Sequence, residues 1–280
     1  MKKSSILNPQ SSIQRLRVGV FDSGLGGLTV VQSLLNHLGD VDIYYVADTL
    51  HAPYGEKTPQ EILQYSLNIT QYLIDTYQID ALVVACNTAT SAAIATLREY
   101  YPDLIIIGTE PAIKPAIAST KSGAVGVLAT PATLKGDKYQ QLADRLRSEK
   151  EVILHEQACA GLVEHIENGT LDSEVCKQKL ERWLIPMREA NVDTIVLGCT
   201  HYPLAKEAIA DVMQKEVCFL DAGEAIAKRV RTLLNVEENK EKSRLYIMVT
   251  GTIDEEAIKR VVPIYERLTK VAIPSKVSNF

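Results

Sequence analysis

The sequence predicts an α/β protein of two pseudo-symmetric units with mainly parallel sheets, facing one another across a central cleft. Three observations carry this reading: apolar runs alternating with amphipathic stretches, an internal duplication, and a cysteine at the same place in each copy. The runs include residues 17–21, 41–47, 81–85, 104–107, 124–128, 194–197, 217–220 and 245–249. They are rich in Val and Ile and continuous rather than alternating, as expected of strands covered on both faces. Between them, residues 28–38, 58–77 and 205–214 read as helices, which gives the strand–helix alternation of the α/β class.

The duplication shows in two places. Val18-Gly19-Val20-Phe21-Asp22-Ser23 is echoed by Val125-Gly126-Val127-Leu128-Ala129-Thr130. Ile79-Asp80-Ala81-Leu82-Val83-Val84-Ala85-Cys86-Asn87-Thr88 is echoed by Val192-Asp193-Thr194-Ile195-Val196-Leu197-Gly198-Cys199-Thr200-His201. Buried strands resemble one another, so one echo carries little, whereas two in the same order at comparable spacing indicate repeated units. Ligands of open parallel sheets bind beyond the carboxyl ends of the strands. A cleft between two such units brings those ends together, and Cys86 is expected to confront Cys199 there. The division read along the chain is a polar N-terminal extension over 1–15, a first domain over 16–111 completed by 224–280, and a second over 112–223. The returning segment is expected to add a helix, a strand and another helix to the first domain.

Composition excludes several function classes. The 280 residues are 46% hydrophobic and 23% charged, with a formal net charge of −5, so there is no electrostatic footprint for nucleic acid or an anionic membrane. The one notable charge run, residues 237–242, is mixed in sign and reads as a solvated loop. No apolar stretch approaches the length of a membrane span. The basic start, Met1-Lys2-Lys3, lacks the apolar segment a signal peptide needs, so a cytoplasmic location is expected. Five cysteines, an odd count, argue against a disulfide framework and for free thiols or ligands.

Asp22-Ser23-Gly24-Leu25-Gly26-Gly27 follows a strand and opens a helix, where backbone N–H groups can receive an anion. A dinucleotide fingerprint fails because Thr29 stands at its third glycine. Asp22 would also repel phosphates, so a carboxylate fits the loop better. Cys86-Asn87-Thr88 and Cys199-Thr200-His201 place a thiol and then hydrogen-bonding side chains at a strand end. A lone cysteine there is ordinarily a small buried hydrophobe. Two at equivalent ends of repeated strands point instead to paired reactive thiols. Cys199-x-His201 offers a soft ligand pair, but no further ligand motif accompanies it, so no metal is expected. Tyr54 and Gly55, in the turn Ala52-Pro53-Tyr54-Gly55, either pack or cover a ligand. Cys159, Cys176 and Cys218 have no counterpart in the duplication and read as structural.

With these residues in place, the chain resembles glutamate racemase of the aspartate/glutamate racemase superfamily. The matching pieces are Phe21-Asp22-Ser23-Gly24-Leu25-Gly26-Gly27, Pro53-Tyr54-Gly55, Cys86-Asn87-Thr88-Ala89, Glu110-Pro111-Ala112 and Gly198-Cys199-Thr200-His201-Tyr202-Pro203-Leu204. The resemblance implies Cys86 and Cys199 as the acid/base pair, with Asp22 and His201 assisting. It implies a role in holding the amino acid or supporting the thiols for Asp22, Ser23, Tyr54, Gly55, Asn87, Thr88, Thr130, Thr133, Thr200 and His201. An assisting glutamate falls at Glu167, with Glu164 close enough to compete. A serine of the family pattern is absent beyond Lys135, where Gly136 and Asp137 stand. The implied activity is cofactor-independent interconversion of L- and D-glutamate, supplying D-glutamate for peptidoglycan. The implied partners are glutamate, with a homodimer and a cell-wall-precursor activator left open.

Competing expectations remain from the residues themselves. A racemase of aspartate or a related acidic amino acid would use the same two thiols. A non-catalytic amino-acid-binding protein would have the same two-unit shape, and a metal-dependent hydrolase would use Cys199 and His201.

Overall fold

The computed structural model describes residues 15–149, 152–236, 243–251 and the backbone of 271–276. Strands β1 (Leu16–Asp22), β2 (Val41–Ala47), β3 (Ala81–Val84), β4 (Ile105–Gly108), β9 (Arg244–Val249) and β10 (Val271–Lys276) form one sheet in the order β10-β9-β2-β1-β3-β4. A second sheet has the order β6-β5-β7-β8, from β5 (Ala124–Ala129), β6 (Ile153–Ala158), β7 (Thr194–Gly198) and β8 (Cys218–Leu220). Every pairing is parallel. The α/β expectation is borne out.

The duplication has a structural counterpart. β2-β1-β3-β4 and β6-β5-β7-β8 have the same spatial order when counted from each unit's first strand. Gly19 and Gly126 occupy matching positions in β1 and β5. A Cβ on Gly19 would stand 2.7 Å from Ile79, and one on Gly126 3.2 Å from Ile195 and 3.3 Å from Val192. Ile79 and Val192 are themselves an echoed pair, so the same packing solution recurs in both units.

Each sheet is covered on both faces. One face of the first sheet packs on α1 (Leu28–His37) and α10 (Gly223–Leu233), through Leu28, Val31, Leu34, Ile226 and Val230. Its other face packs on α2 (Pro59–Tyr77) and α3 (Asn87–Tyr100), through Ile69, Leu73, Ala93 and Leu97. α2 starts sharply because Thr58 and Glu61 form a reciprocal capping box, with Thr58 N–H donating to Glu61 Oε2 at 2.9 Å; such a cap is worth ~1 kcal/mol. The second sheet is enclosed by α7 (Leu162–Glu167), α8 (Glu174–Glu189) and α9 (Lys206–Met213) on one face. On the other lie α4 (Ile113–Ser119) and α6 (Asp137–Glu149).

Most of the expected extension lies outside the described residues, as do the charge run at 237–242 and the helix expected after β9. The strand β10 was not anticipated. It holds the sheet edge beyond β9, and its register shifts between Ala272 and Ser275, around Pro274. A proline has no N–H for a ladder and is tolerated at edges and bulges, which makes such a strand hard to read.

Candidate active site

Each sheet delivers one thiol. Cys86 follows β3 and caps α3, with Ala89 N–H donating to its Sγ at 3.5 Å. Cys199 directly follows β7. Both are buried, 5% and 8% exposed, and both line one cavity of about 130 Å³. Sites for drug-sized ligands measure about 300–1,000 Å³, so the occupant here is small.

Twelve of the residues singled out above line this cavity: Asp22 at the end of β1 and Ser23 after it, Tyr54 and Gly55, Cys86, Asn87 and Thr88, Thr130 and Thr133, and Cys199, Thr200 and His201. Glu167 does not. It stands behind His201, its Oε1 2.8 Å from His201 Nε2, while Glu164, one helical turn earlier on α7, lines the cavity itself.

Asp22 is 1% exposed. Its Oδ2 accepts from Gly27 N–H at 2.6 Å and from Thr200 Oγ1 at 3.1 Å, and its Oδ1 accepts from Ser23 N–H at 2.7 Å. Burial raises its pKa, against the opposing pull of His201 and the donors around it. The Cys86 thiol is pushed well above its ordinary value by burial and then by the Asp22 charge, so it is protonated at neutral pH. Its Sγ lies 3.9 Å from Ser23 Oγ. His201 differs. Burial opposes its charge, but hydrogen bonds to Cys199 and Glu167 outweigh burial, and its pKa is pushed up to about 10. Glu167 is also disfavoured by burial, yet His201 holds its carboxyl below the ordinary value. A charge on Cys199 therefore has an imidazolium as its immediate partner, while Cys86 has a carboxylate.

The threonines form a chain across the cleft. Thr88 Oγ1 lies 3.3 Å from Thr130 Oγ1, which lies 2.9 Å from Thr133 Oγ1. Asn87 Oδ1 is buried and has no hydrogen-bond partner. A buried orphan acceptor at a cavity wall is a costly feature in isolation and suits a ligand that brings a donor. In the stretch after Lys135 where the family serine is missing, Ser91 Oγ of α3 lies against Gly136, so a side chain at 136 would have to displace it.

Two participants escaped the sequence reading. Cys159, read as structural, lines the cavity; burial and neighbouring Cys199 raise its pKa. Asp48, 1% exposed, accepts from Tyr54 Oη at 2.5 Å and Thr250 Oγ1 at 2.5 Å, fixing the Tyr54 ring over the cavity. Among the described residues no cluster of three or more His, Cys, Asp or Glu is placed to hold a metal ion, and no helix is long and apolar enough to cross a membrane.

The His201–Glu167 pair has a stability consequence. The His201 pKa stands above its unfolded value of about 6.5. Its contribution is therefore complete below about pH 6.5 and is lost as pH rises through about 10. The melting temperature is expected to fall between pH 7 and pH 10, and to fall less in His201→Gln. A wild-type melting temperature constant over that range would contradict the pairing.

Comparison with known proteins shows the family and the fold. Residues 23–230 match the family model for Asp/Glu/Hydantoin racemase. A glutamate racemase of Sulfurovum sp. is 58% identical over 95% of this chain and 100% of the relative. One of Aliarcobacter butzleri is 53% identical over 88% of this chain and 95% of the relative. Among solved structures, Escherichia coli glutamate racemase in complex with L-glutamate and the activator UDP-MurNAc-Ala superposes with a TM-score of 0.79 at 33% identity, covering 92% of this chain and 97% of that one. A Bacillus anthracis glutamate racemase also gives 0.79, at 28% identity over 94% and 97% of the two chains. With two matching α/β units and one thiol from each at a shared cavity, the chain belongs to the aspartate/glutamate racemase superfamily, among its glutamate racemases.

Proposed function

We propose that this protein interconverts L- and D-glutamate, with Cys86 and Cys199 as the two acid/base residues. The observation that carries this reading is the pair of thiols, one from each sheet, at one small cavity. Inverting an α-carbon requires a proton to leave one face and another to arrive at the opposite face. Two fixed groups do this without turning the substrate over, and thiol and thiolate exchange roles for the opposite enantiomer. The thiolate removes the α-proton, and the facing thiol donates its own to the carbanion. Asp22 assists Cys86 and His201 assists Cys199, with Glu167 keeping His201 charged.

The carbanion places charge on the α-carboxylate. Thr88 and Thr130 hydroxyls and the first turn of α3 supply donors there, and Asn87 Oδ1 accepts from the α-ammonium. The chemistry is proposed to need no cofactor. Asn87→Ala is expected to raise KM about tenfold, from the loss of ~1.5 kcal/mol in a charge-assisted hydrogen bond, with a smaller effect on kcat. An unchanged KM would remove Asn87 from the substrate contacts.

The activity is tested by incubating the protein with L-glutamate in deuterated water. Loss of optical activity with deuterium at the α-carbon supports racemisation; binding without exchange would make the protein a non-catalytic receptor. Faster exchange on aspartate would reassign the substrate.

The proposal extends to a cytoplasmic role supplying D-glutamate for peptidoglycan, and to the domain division 16–111 plus 224–280 against 112–223, which the packing of α10 on α1 supports. A cell-wall precursor is proposed as activator, in keeping with the E. coli neighbour's ligand. A second cavity of about 370 Å³ shares Asn87 and Thr133 with the first and offers Arg98, Glu110, Tyr139 and Arg145 to it. Assembly as a homodimer is decided by sedimentation of the full chain.

A further inference from the structure

We propose that the glycine loop of residues 24–27 is the positioning element of the His201–Glu167 pair, with Gly26 and Thr29 setting where His201 stands beside Cys199. The loop belongs to the first sheet's unit and the pair to the second, so this contact crosses the cleft. The inference rests on the reading of Cys199 as an acid/base residue.

Space is the first argument. A Cβ on Gly26 would stand 2.3 Å from His201 Nδ1 and 2.6 Å from Thr200 Oγ1, and one on Gly24 3.1 Å from Glu167 Oε1. The imidazole therefore lies against bare backbone, and any side chain at 26 must move it. Hydrogen bonding is the second. The Leu25 backbone N–H helps hold the Glu167 carboxyl below its ordinary pKa, and Thr29 Oγ1 lies 2.9 Å from both the Gly26 and the Thr200 carbonyl, linking the loop to the second unit. Tyr45 Oη supports the loop from below, donating to the Gly24 carbonyl at 2.6 Å. The third argument is location: none of residues 24–29 lines the cavity. The carboxylate the loop holds is that of Asp22, on Gly27 N–H at 2.6 Å, and the loop packs against a second, that of Glu167.

The groups facing His201 are Glu167 from α7, Asp22 at the end of β1 and Cys199 beyond β7; Tyr45 of β2 stands behind the loop. Gly26→Ala should push the ring away from Glu167 and Cys199. Its charge would then persist over a narrower pH range, and proton transfer at Cys199 would slow.

The test follows the ring nitrogens of His201 by nitrogen-15 NMR through a pH titration, together with kinetics. Wild-type His201 is expected to titrate at about 10. In Gly26→Ala the midpoint should drop by at least ~1 pH unit, and kcat should fall by up to ~100-fold with KM nearly unchanged. If that variant fails to fold, Thr29→Val removes the cross-cleft hydroxyl and should shift His201 in the same direction, with Thr29→Ser restoring it. Wild-type titration in a folded Gly26→Ala, or in Thr29→Val, would overturn the proposal. Failure of the function reading looks different: Cys199→Ser would then racemise normally whatever His201 does.

Discussion

Serine in place of either Cys86 or Cys199 is expected to lower glutamate racemisation by ~10²–10⁴-fold, the range for losing one positioned acid or base. A serine hydroxyl is of similar shape but far less acidic than a thiol, so it neither holds the negative charge nor returns a proton at neutral pH. The fold should survive. Cys86 Sγ accepts one long bond from Ala89 N–H at the start of α3, and a serine oxygen is a good cap at that position. Cys199 stands at the cavity wall on the edge of the second unit's core, and serine is smaller than cysteine, so it overpacks nothing there. Melting temperatures within a few degrees of wild type, together with lost turnover, would separate chemistry from folding. Near-normal turnover in either variant would remove the two-thiol mechanism.

Asp22→Asn is expected to do damage of both kinds. The two carboxylate oxygens accept from Ser23 N–H, Gly27 N–H and Thr200 Oγ1 in a buried setting. An amide turns one acceptor into a donor, so a buried N–H meets an NH₂ group at a cost of roughly 1–3 kcal/mol. The same change takes away the charge beside Cys86 and with it the partner proposed to manage that thiol's proton. Turnover should fall by at least ~100-fold and the melting temperature should drop, unlike in the cysteine variants. If Asp22→Asn kept full activity while losing stability, Asp22 would be a cleft-closing residue with no part in proton transfer.

Much of this site was legible because the duplication writes the same local physics twice. A buried strand ending in Cys86 or Cys199 and a following hydrogen-bonding run depend on near neighbours, so both the strand ends and the duplication could be read. What escaped depends on distant parts of the chain. Asp48 follows β2 and becomes meaningful only when Thr250, beyond β9, and Tyr54 arrive at its two oxygens. Cys159 follows β6, whose strand is half-exposed and carries His155, Glu156 and Gln157, so neither strand nor thiol stands out. Glu164 and Glu167 lie one turn apart on the same short helix, and spacing alone could not divide them. The folded chain aims one at the cavity and the other at His201. The glycine loop was expected to receive a ligand's carboxylate; in the fold its Gly27 N–H holds Asp22 and its glycines leave room for His201 and Glu167 from across the cleft.

The most direct measurement of two opposed thiols is the isotopic content of each enantiomer during the first few per cent of reaction in deuterated water. Starting from protiated L-glutamate, newly formed D-glutamate should carry deuterium at the α-carbon while the remaining L-glutamate stays protiated. The base on one face keeps the hydrogen it removed, and the acid on the other delivers one from solvent. Product that retains the original hydrogen, or deuterium appearing equally in both pools from the outset, would mean that a single group serves both faces.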